Sequence, residues 1–211
     1  MERSAHEELK MNVAAARAEI DFTAARKAMI DSQLRVSGVN EEPVLAAMAS
    51  VPREDHVPEA ARAFAYIDRA VALGDGHFLA APLFYGRLLG EAQVARDDRV
   101  LVVDAGSGYL PALARTLADT VESADPAEAS AKNRKRGDFS LLLIDGAVEQ
   151  VPASLAARLA DGARVVTGMV SRGVTRLAYG RKVGGEVALL PLAEMGIPIL
   201  AEFDIPKGWS F

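Results

Sequence analysis

The sequence predicts an α/β fold, a parallel sheet covered by helices. Three observations carry this. Short apolar runs recur at 99–104, 139–145 and 163–169, the first of them rich in β-branched residues. Helix-compatible segments alternate with them, the pattern left by parallel strands joined through crossover helices. The first run ends in Asp104-Ala105-Gly106-Ser107-Gly108-Tyr109 and leads directly into a helical segment.

Residues 4–37 read as helix, with Ser4 and Glu7 at capping-box spacing. Asp21 and Thr23 mark a break and a second N-cap, after which Ala24, Met29, Ile30 and Leu34 make an apolar face that Gly38 closes. Residues 41–50 form a short helix with Val44, Leu45 and Met48 turned inward, ended by Pro52. Residues 51–82, punctuated by Pro52, Pro58, Gly74, Gly76 and Pro82, read as connections around a short helix at 58–64. A helix follows at 82–94. Beyond the glycine turn come a helix at 110–118, a short strand at 121–124 closed by Asp125-Pro126, and a basic helix-compatible stretch at 127–136. A helix at 153–159 separates the strands at 139–145 and 163–169. Two late strands, 176–181 and 187–190, flank Gly184-Gly185.

Composition narrows the chemistry. The 211 residues suit about one domain, and a chain of this length buries a core without covalent staples. The absence of Cys excludes a disulfide framework, Cys-ligated zinc, iron–sulfur clusters and a thiol nucleophile, and fits a reducing compartment. Three His, at 6, 56 and 77, make a His-rich metal site unexpected. A net charge of −5 gives no overall basic footprint for nucleic acid. No apolar run is long enough to span a bilayer, and MERSAHEELK has no apolar segment behind it, so neither membrane anchor nor signal peptide is expected. The expected location is cytoplasmic.

In doubly wound sheets, ligands collect at the carboxyl ends of the strands. Gly106 and Gly108 let backbone approach a ligand, and the helix start behind them offers free N–H groups to an anion. The third glycine of a dinucleotide fingerprint is missing, because residue 111 is Pro. A carboxylate about 20 positions on would hold ribose hydroxyls. Asp125 has that spacing, with Glu122 as the alternative. A turn of this kind suits S-adenosylmethionine better than a nicotinamide dinucleotide; the competing reading is a tight turn plus a helix-capping Asp125. Asp145, at the end of an apolar strand, either lines the same pocket or caps a loop. Lys132-Asn133-Arg134-Lys135-Arg136 reads as a solvated basic face, His77 as an exposed loop residue, and Trp209 and Phe211 as cover for a core edge.

Longer stretches carry a resemblance. Ala28-Met29-Ile30-Asp31-Ser32-Gln33-Leu34-Arg35, Val51-Pro52-Arg53-Glu54-Asp55-His56-Val57-Pro58 and Ala65-Tyr66-Ile67-Asp68-Arg69 resemble protein-L-isoaspartate (D-aspartate) O-methyltransferases in order and spacing. So do Val100–Ala114 with Gly106-Ser107-Gly108-Tyr109, Leu143–Ala147, Val151-Pro152 and Leu159–Val165. The resemblance implies a class I S-adenosylmethionine-dependent, Rossmann-like methyltransferase fold. It implies S-adenosylmethionine as methyl donor and the isoaspartyl carboxylate of damaged protein as acceptor. Asp104, Gly106, Ser107, Gly108, Asp125 and Asp145 then become cofactor-side candidates. Asp68, Ala80 and Ala81 become substrate-side candidates, the two alanines through their backbone groups. The implied organisation is an N-terminal helical extension at 1–21, a helical and loop substrate-side region at 22–98 and the methyltransferase core at 99–211.

The sequence departs from the family pattern in three places. Where the family carries a substrate-holding hydroxyl before the proline matching Pro82, this chain has Ala80. Where the family carries an acid before the glycine turn, this chain has Val102. Asp104 comes two positions later, pointing either into the same pocket or away from it. Between Asp125 and Phe139 there is room for one helix and no strand, so one edge strand and its adenine-side loop are expected to be absent, with Asp138 either a stand-in for the lost acid or a loop residue. These departures leave three readings open: an isoaspartyl methyltransferase, a methyltransferase with another acceptor, and a binding or scaffold protein without turnover.

Overall fold

The computed structural model describes residues 20–132 and 136–205. The expected helical extension before residue 20, the middle of the basic cluster and both terminal aromatics lie outside the described residues.

Helix α1 (Phe22–Met29) starts where Asp21 accepts the Ala24 N–H at 2.9 Å, an N-cap that satisfies one of the helix's unpaired donors. It runs on through a π-helical turn (Ile30–Leu34) and a 3₁₀ turn (Arg35–Ser37) to Gly38, whose φ of +84° makes the left-handed stop. Helix α2 (Glu42–Ser50) buries Val44, Leu45, Ala47 and Met48. Two 3₁₀ turns follow, Arg53–His56 and Glu59–Phe64.

The segment that reads as plain connection contains a hairpin. Strands β1 (Val71–Gly74) and β2 (His77–Leu79) pair antiparallel. They are too short to show an alternating pattern; the legible signal is Gly74-Asp75-Gly76, all three at positive φ. Helix α3 (Pro82–Ala92) then begins with Pro in its first turn, where the missing N–H costs nothing.

The main sheet has the order β4-β3-β5-β6-β7-β8, with β3 Arg99–Val103, β4 Thr120–Ala124, β5 Phe139–Val148, β6 Leu159–Ser171, β7 Val174–Val183 and β8 Glu186–Glu194. The first four in that order run parallel; β7 and β8 run antiparallel, because turns at Arg172-Gly173 and Gly184-Gly185 leave no length for a crossover. Helix α4 (Tyr109–Leu117) follows the glycine turn. Helix α5 (Pro126–Ser130) and helix α6 (Ala153–Ala156) are shorter than expected, α6 because β6 already starts at Leu159. No strand lies between α5 and β5 among the described residues, so β4 is the edge of the sheet, as the short segment requires.

Alternation along the central strands divides the core in two. Val100, Val102, Leu141, Leu143 and Val166 pack under α2, α3 and α4. Leu101, Val103, Leu142, Ile144 and Val165 pack under Ala129, Leu155, Leu200 and Phe203, a thinner cover. Strands covered on both faces read as unbroken apolar runs, which is why these were legible. Leu143→Ala is expected to lower unfolding free energy by about 2–5 kcal/mol, whereas Val183→Ala, at a side chain 70% exposed, changes it by less than about 0.5 kcal/mol; urea denaturation monitored by circular dichroism checks both.

Candidate functional site

The carboxyl ends of β4 and β3 are in register with each other and with Ile144 of β5, which itself runs on to Val148. Val103 pairs with Ala124 on one side and Ile144 on the other, so the next residues, Asp125, Asp104 and Asp145, form a row across three neighbouring strands. Parallel strands lie ~4.8 Å apart, which brings three carboxyl groups to one rim. Their surroundings differ. Asp145 is 1% exposed: its Oδ1 accepts the Tyr85 hydroxyl at 2.8 Å, and its buried Oδ2 has no hydrogen-bond partner. Burial pushes its carboxyl up to about 7, with the Tyr85 hydrogen bond opposing and the neighbouring Asp104 charge adding to the rise. Asp104 is half-buried, and both of its oxygens lie 3.0 Å from the Gly108 nitrogen. Burial raises it above the ordinary carboxylate range, against the N–H groups of Gly108 and Gly106. Asp125 is exposed and accepts the Glu128 N–H at 2.7 Å, capping α5.

Asp104 therefore points into the glycine turn and closes it from beneath. Gly106 and Gly108 have φ of +97° and +69°, which L side chains rarely adopt. A Cβ on Gly106 would meet nothing within 4 Å, so the turn opens outward on that side. Ser107 braces it: its Oγ accepts the Tyr109 N–H at 3.0 Å, and its carbonyl oxygen lies 2.8 Å from His56 Nδ1.

Beneath the turn lies a polar network that sequence reasoning missed. Arg53 is fully buried. Its Nε donates to Ala65 O at 2.6 Å and its Nη2 to Ala80 O, and its guanidinium carbon stands 5.5 Å and 5.2 Å from the Tyr85 and Tyr109 ring centroids. Tyr66 donates to Glu54 and accepts from Arg26 Nε at 2.7 Å, while Arg26 pairs with Glu54 at 2.9 Å. Burial pushes the Tyr109 hydroxyl up to about 12 and raises Tyr85 and Tyr66 as well, so all three phenols stay protonated. Arg53 stands within one of the resembling segments, but neither it nor Tyr85 carries a local signal of burial, since an Arg or Tyr in sequence is not read as core.

The substrate-side candidates separate. Both backbone groups of Ala80 are already used: its N–H reaches Tyr85 Oη at 3.2 Å and its carbonyl accepts from Arg53. Ala80 is thus part of the buried frame and offers no free backbone group, contrary to expectation. Ala81 and Asp68 line a cavity of about 520 Å³, with Arg69, Phe78, Phe84 and Thr175 among its walls. None of the cofactor-side candidates lines that cavity. Tyr85 links the two regions, touching Asp145 on one side and Ala80 on the other.

Three other candidates fall elsewhere. Glu122 lies 3.8 Å from Arg158, and Asp138 pairs with Arg99 at 3.2 Å, at the start of β3 and β5. Asp138 is therefore at the wrong end of the sheet to replace an adenine-side acid. His77 lies 3.9 Å from Glu202. Among the described residues no group of His, Asp or Glu is arranged to hold a metal ion.

Comparison with known proteins completes the picture. A family model described as protein-L-isoaspartate(D-aspartate) O-methyltransferase matches residues 24–125. A Roseiflexus sp. (strain RS-1) protein-L-isoaspartate O-methyltransferase is 33% identical over 78% of this chain and 86% of that protein. A Methanoculleus marisnigri protein of the same description is 29% identical over 88% and 94%. A crystal structure from Plasmodium falciparum, assigned as a protein-L-isoaspartate O-methyltransferase in complex with S-adenosyl-L-homocysteine, superposes with a TM-score of 0.64 over 87% of this chain and all of that one, at 17% identity. The sheet is thus of the class I methyltransferase type. Taken with the ordered sequence matches across most of its length, this makes the chain a member of the protein-L-isoaspartate O-methyltransferase family.

Proposed function

We propose that this protein transfers a methyl group from S-adenosylmethionine to the isoaspartyl carboxylate of damaged protein or peptide, in the cytoplasm, as a repair reaction. The observation that carries the reading is the glycine turn at the end of β3. It is held at positive φ, open above Gly106 and set in a row of three aspartates. The relatives' described activity supports it. No helix among the described residues is long and apolar enough to cross a membrane.

The residues fit the cofactor on the glycine side. Gly106 and Ser107 would hold its methionine part by backbone, with Gly108, whose N–H Asp104 already takes, shaping the turn; Asp125 would take the ribose hydroxyls, and Asp145 with its unpartnered Oδ2 would line the pocket. When bound, the cofactor supplies an electrophilic methyl on a sulfonium. The acceptor carboxylate is already ionised at neutral pH, so the protein need not remove a proton. What it must do is align donor and acceptor and exclude water. Residues 22–98 form the substrate side, with Asp68 and Ala81 on the cavity wall, and the sheet from residue 99 onward forms the core.

Two observations favour a second reading, a family member that serves as a binding or scaffold protein and has lost its cofactor pocket. Asp104 already occupies the Gly108 N–H, and β4 is the sheet edge, so the adenine side has one wall fewer. Calorimetric titration with S-adenosylmethionine separates the two. Saturable binding together with a one-methyl mass gain on an isoaspartyl peptide is the expected result, and silence up to millimolar cofactor assigns the second reading. Asp145 sets a pH dependence of stability. Its carboxyl releases a proton near 3.8 when unfolded and near 7 when folded, so the native state binds more protons between those values and loses stability as pH rises through them. Asp145→Asn is expected to lose less stability than the parent between pH 5 and pH 8, measured by urea denaturation at both.

A further inference from the structure

The end of the sheet opposite the glycine turn holds a second constellation that the methyl-transfer reading does not use. A cavity of about 380 Å³ is lined by Arg99, Arg136, Arg158, Phe139 and the carboxylates of Glu122 and Asp138. Arg99 opens β3 and Phe139 opens β5, so the cavity lies a strand's length, on the order of 15 Å, from Gly106.

Arg158 is the unusual member. It is 7% exposed, and its buried Nη1 has no hydrogen-bond partner. Its approach to an acid is the 3.8 Å separation from Glu122, too long for a hydrogen bond. A guanidinium withdrawn from water with donors unmet is costly unless an acceptor completes it. The group is held in place. Its guanidinium carbon lies 5.6 Å from the Phe139 ring centroid, with that of Arg99 at 5.7 Å from the same ring. A Cβ on Gly137 would come within 2.5 Å of the Arg158 carbonyl oxygen, so residues 137–139 lie tight against the Arg158 backbone. Arg99 is matched by Asp138 at 3.2 Å. Arg136 is exposed and has no acidic partner among the described residues. The lining therefore carries three guanidinium groups against two carboxylates. Arginine forks suit the paired oxygens of a tetrahedral oxyanion better than they suit a single-point acceptor.

We propose that this cavity is a binding site for a phosphate-class oxyanion, with Arg158 and Arg136 as its principal donors and Glu122 as the group that restrains its affinity. The site stands apart from the methyl-transfer reading and survives that reading's failure. Calorimetric titration of the full chain, in phosphate-free buffer with ionic strength held by potassium chloride, uses inorganic phosphate in one arm and O-phosphoserine in the other. Saturable binding in either arm is expected, and the tighter arm identifies the source as free phosphate or a phosphomonoester. Arg136→Ala, at an exposed position, is expected to weaken binding at least tenfold. Glu122→Gln is expected to tighten it several-fold, a gain that misfolding does not produce. Absence of saturable binding in both arms, or affinity unchanged in Arg136→Ala and Glu122→Gln, overturns the proposal.

Discussion

The buried guanidinium of Arg53 is the interaction on which the rest of this architecture depends. It lies where four segments meet: its own 3₁₀ turn, the carbonyl of Ala65, the carbonyl of Ala80 and the aromatic faces of Tyr85 and Tyr109. A charge in that position is tolerated because two carbonyl oxygens and two π-faces stand in for most of its water, Nη1 alone being a buried donor without a partner. Removing either side of such an arrangement costs about 3–5 kcal/mol. The geometry also fixes function. By holding Ala80 and Tyr85 together, Arg53 determines where the Tyr85 hydroxyl points and so how Asp145 is held. The substrate-side cavity and the glycine turn share that one support.

The row of aspartates shows how one side chain takes three roles by environment alone. Asp125, open to water, caps a helix. Asp104, half withdrawn, closes a turn by accepting backbone N–H groups. Asp145, shut away beside a neighbouring negative charge, keeps a proton into the neutral range. The register of β4, β3 and β5 puts them on one line, and burial then sorts them.

The central strands were legible because burial on both faces writes an apolar run into the sequence, and the glycine turn because positive φ demands its residue type. The loss of an edge strand was legible from chain length between Asp125 and Phe139. The β1–β2 hairpin was not, since three or four residues cannot display an alternation. The role of Ala80 was misread for a different reason: nothing local says that its two backbone groups are already claimed by Arg53 and Tyr85, residues 27 positions back and 5 ahead. Of the two readings of Asp138 the loop residue holds, and distance along the chain does not reveal which end of the sheet that loop has returned to. Arg158 escaped notice because a buried cation with one donor unmet has no sequence signature.

Ending the sheet at β4 has a cost that the residues themselves meet. A bare strand edge is a template for pairing with another chain. Thr120, Glu122 and Ser123 put polar side chains along the short β4, and a carboxylate there repels a second copy laid alongside. At the opposite edge β8 is longer and carries exposed Leu190 and Leu192, a combination that favours adhesion. Pro191 sits between them and contributes no N–H, so the most adhesive stretch of the molecule lacks a donor at its centre. The two edges of the sheet thus differ in what they offer a pairing strand, charge at one and a missing hydrogen at the other.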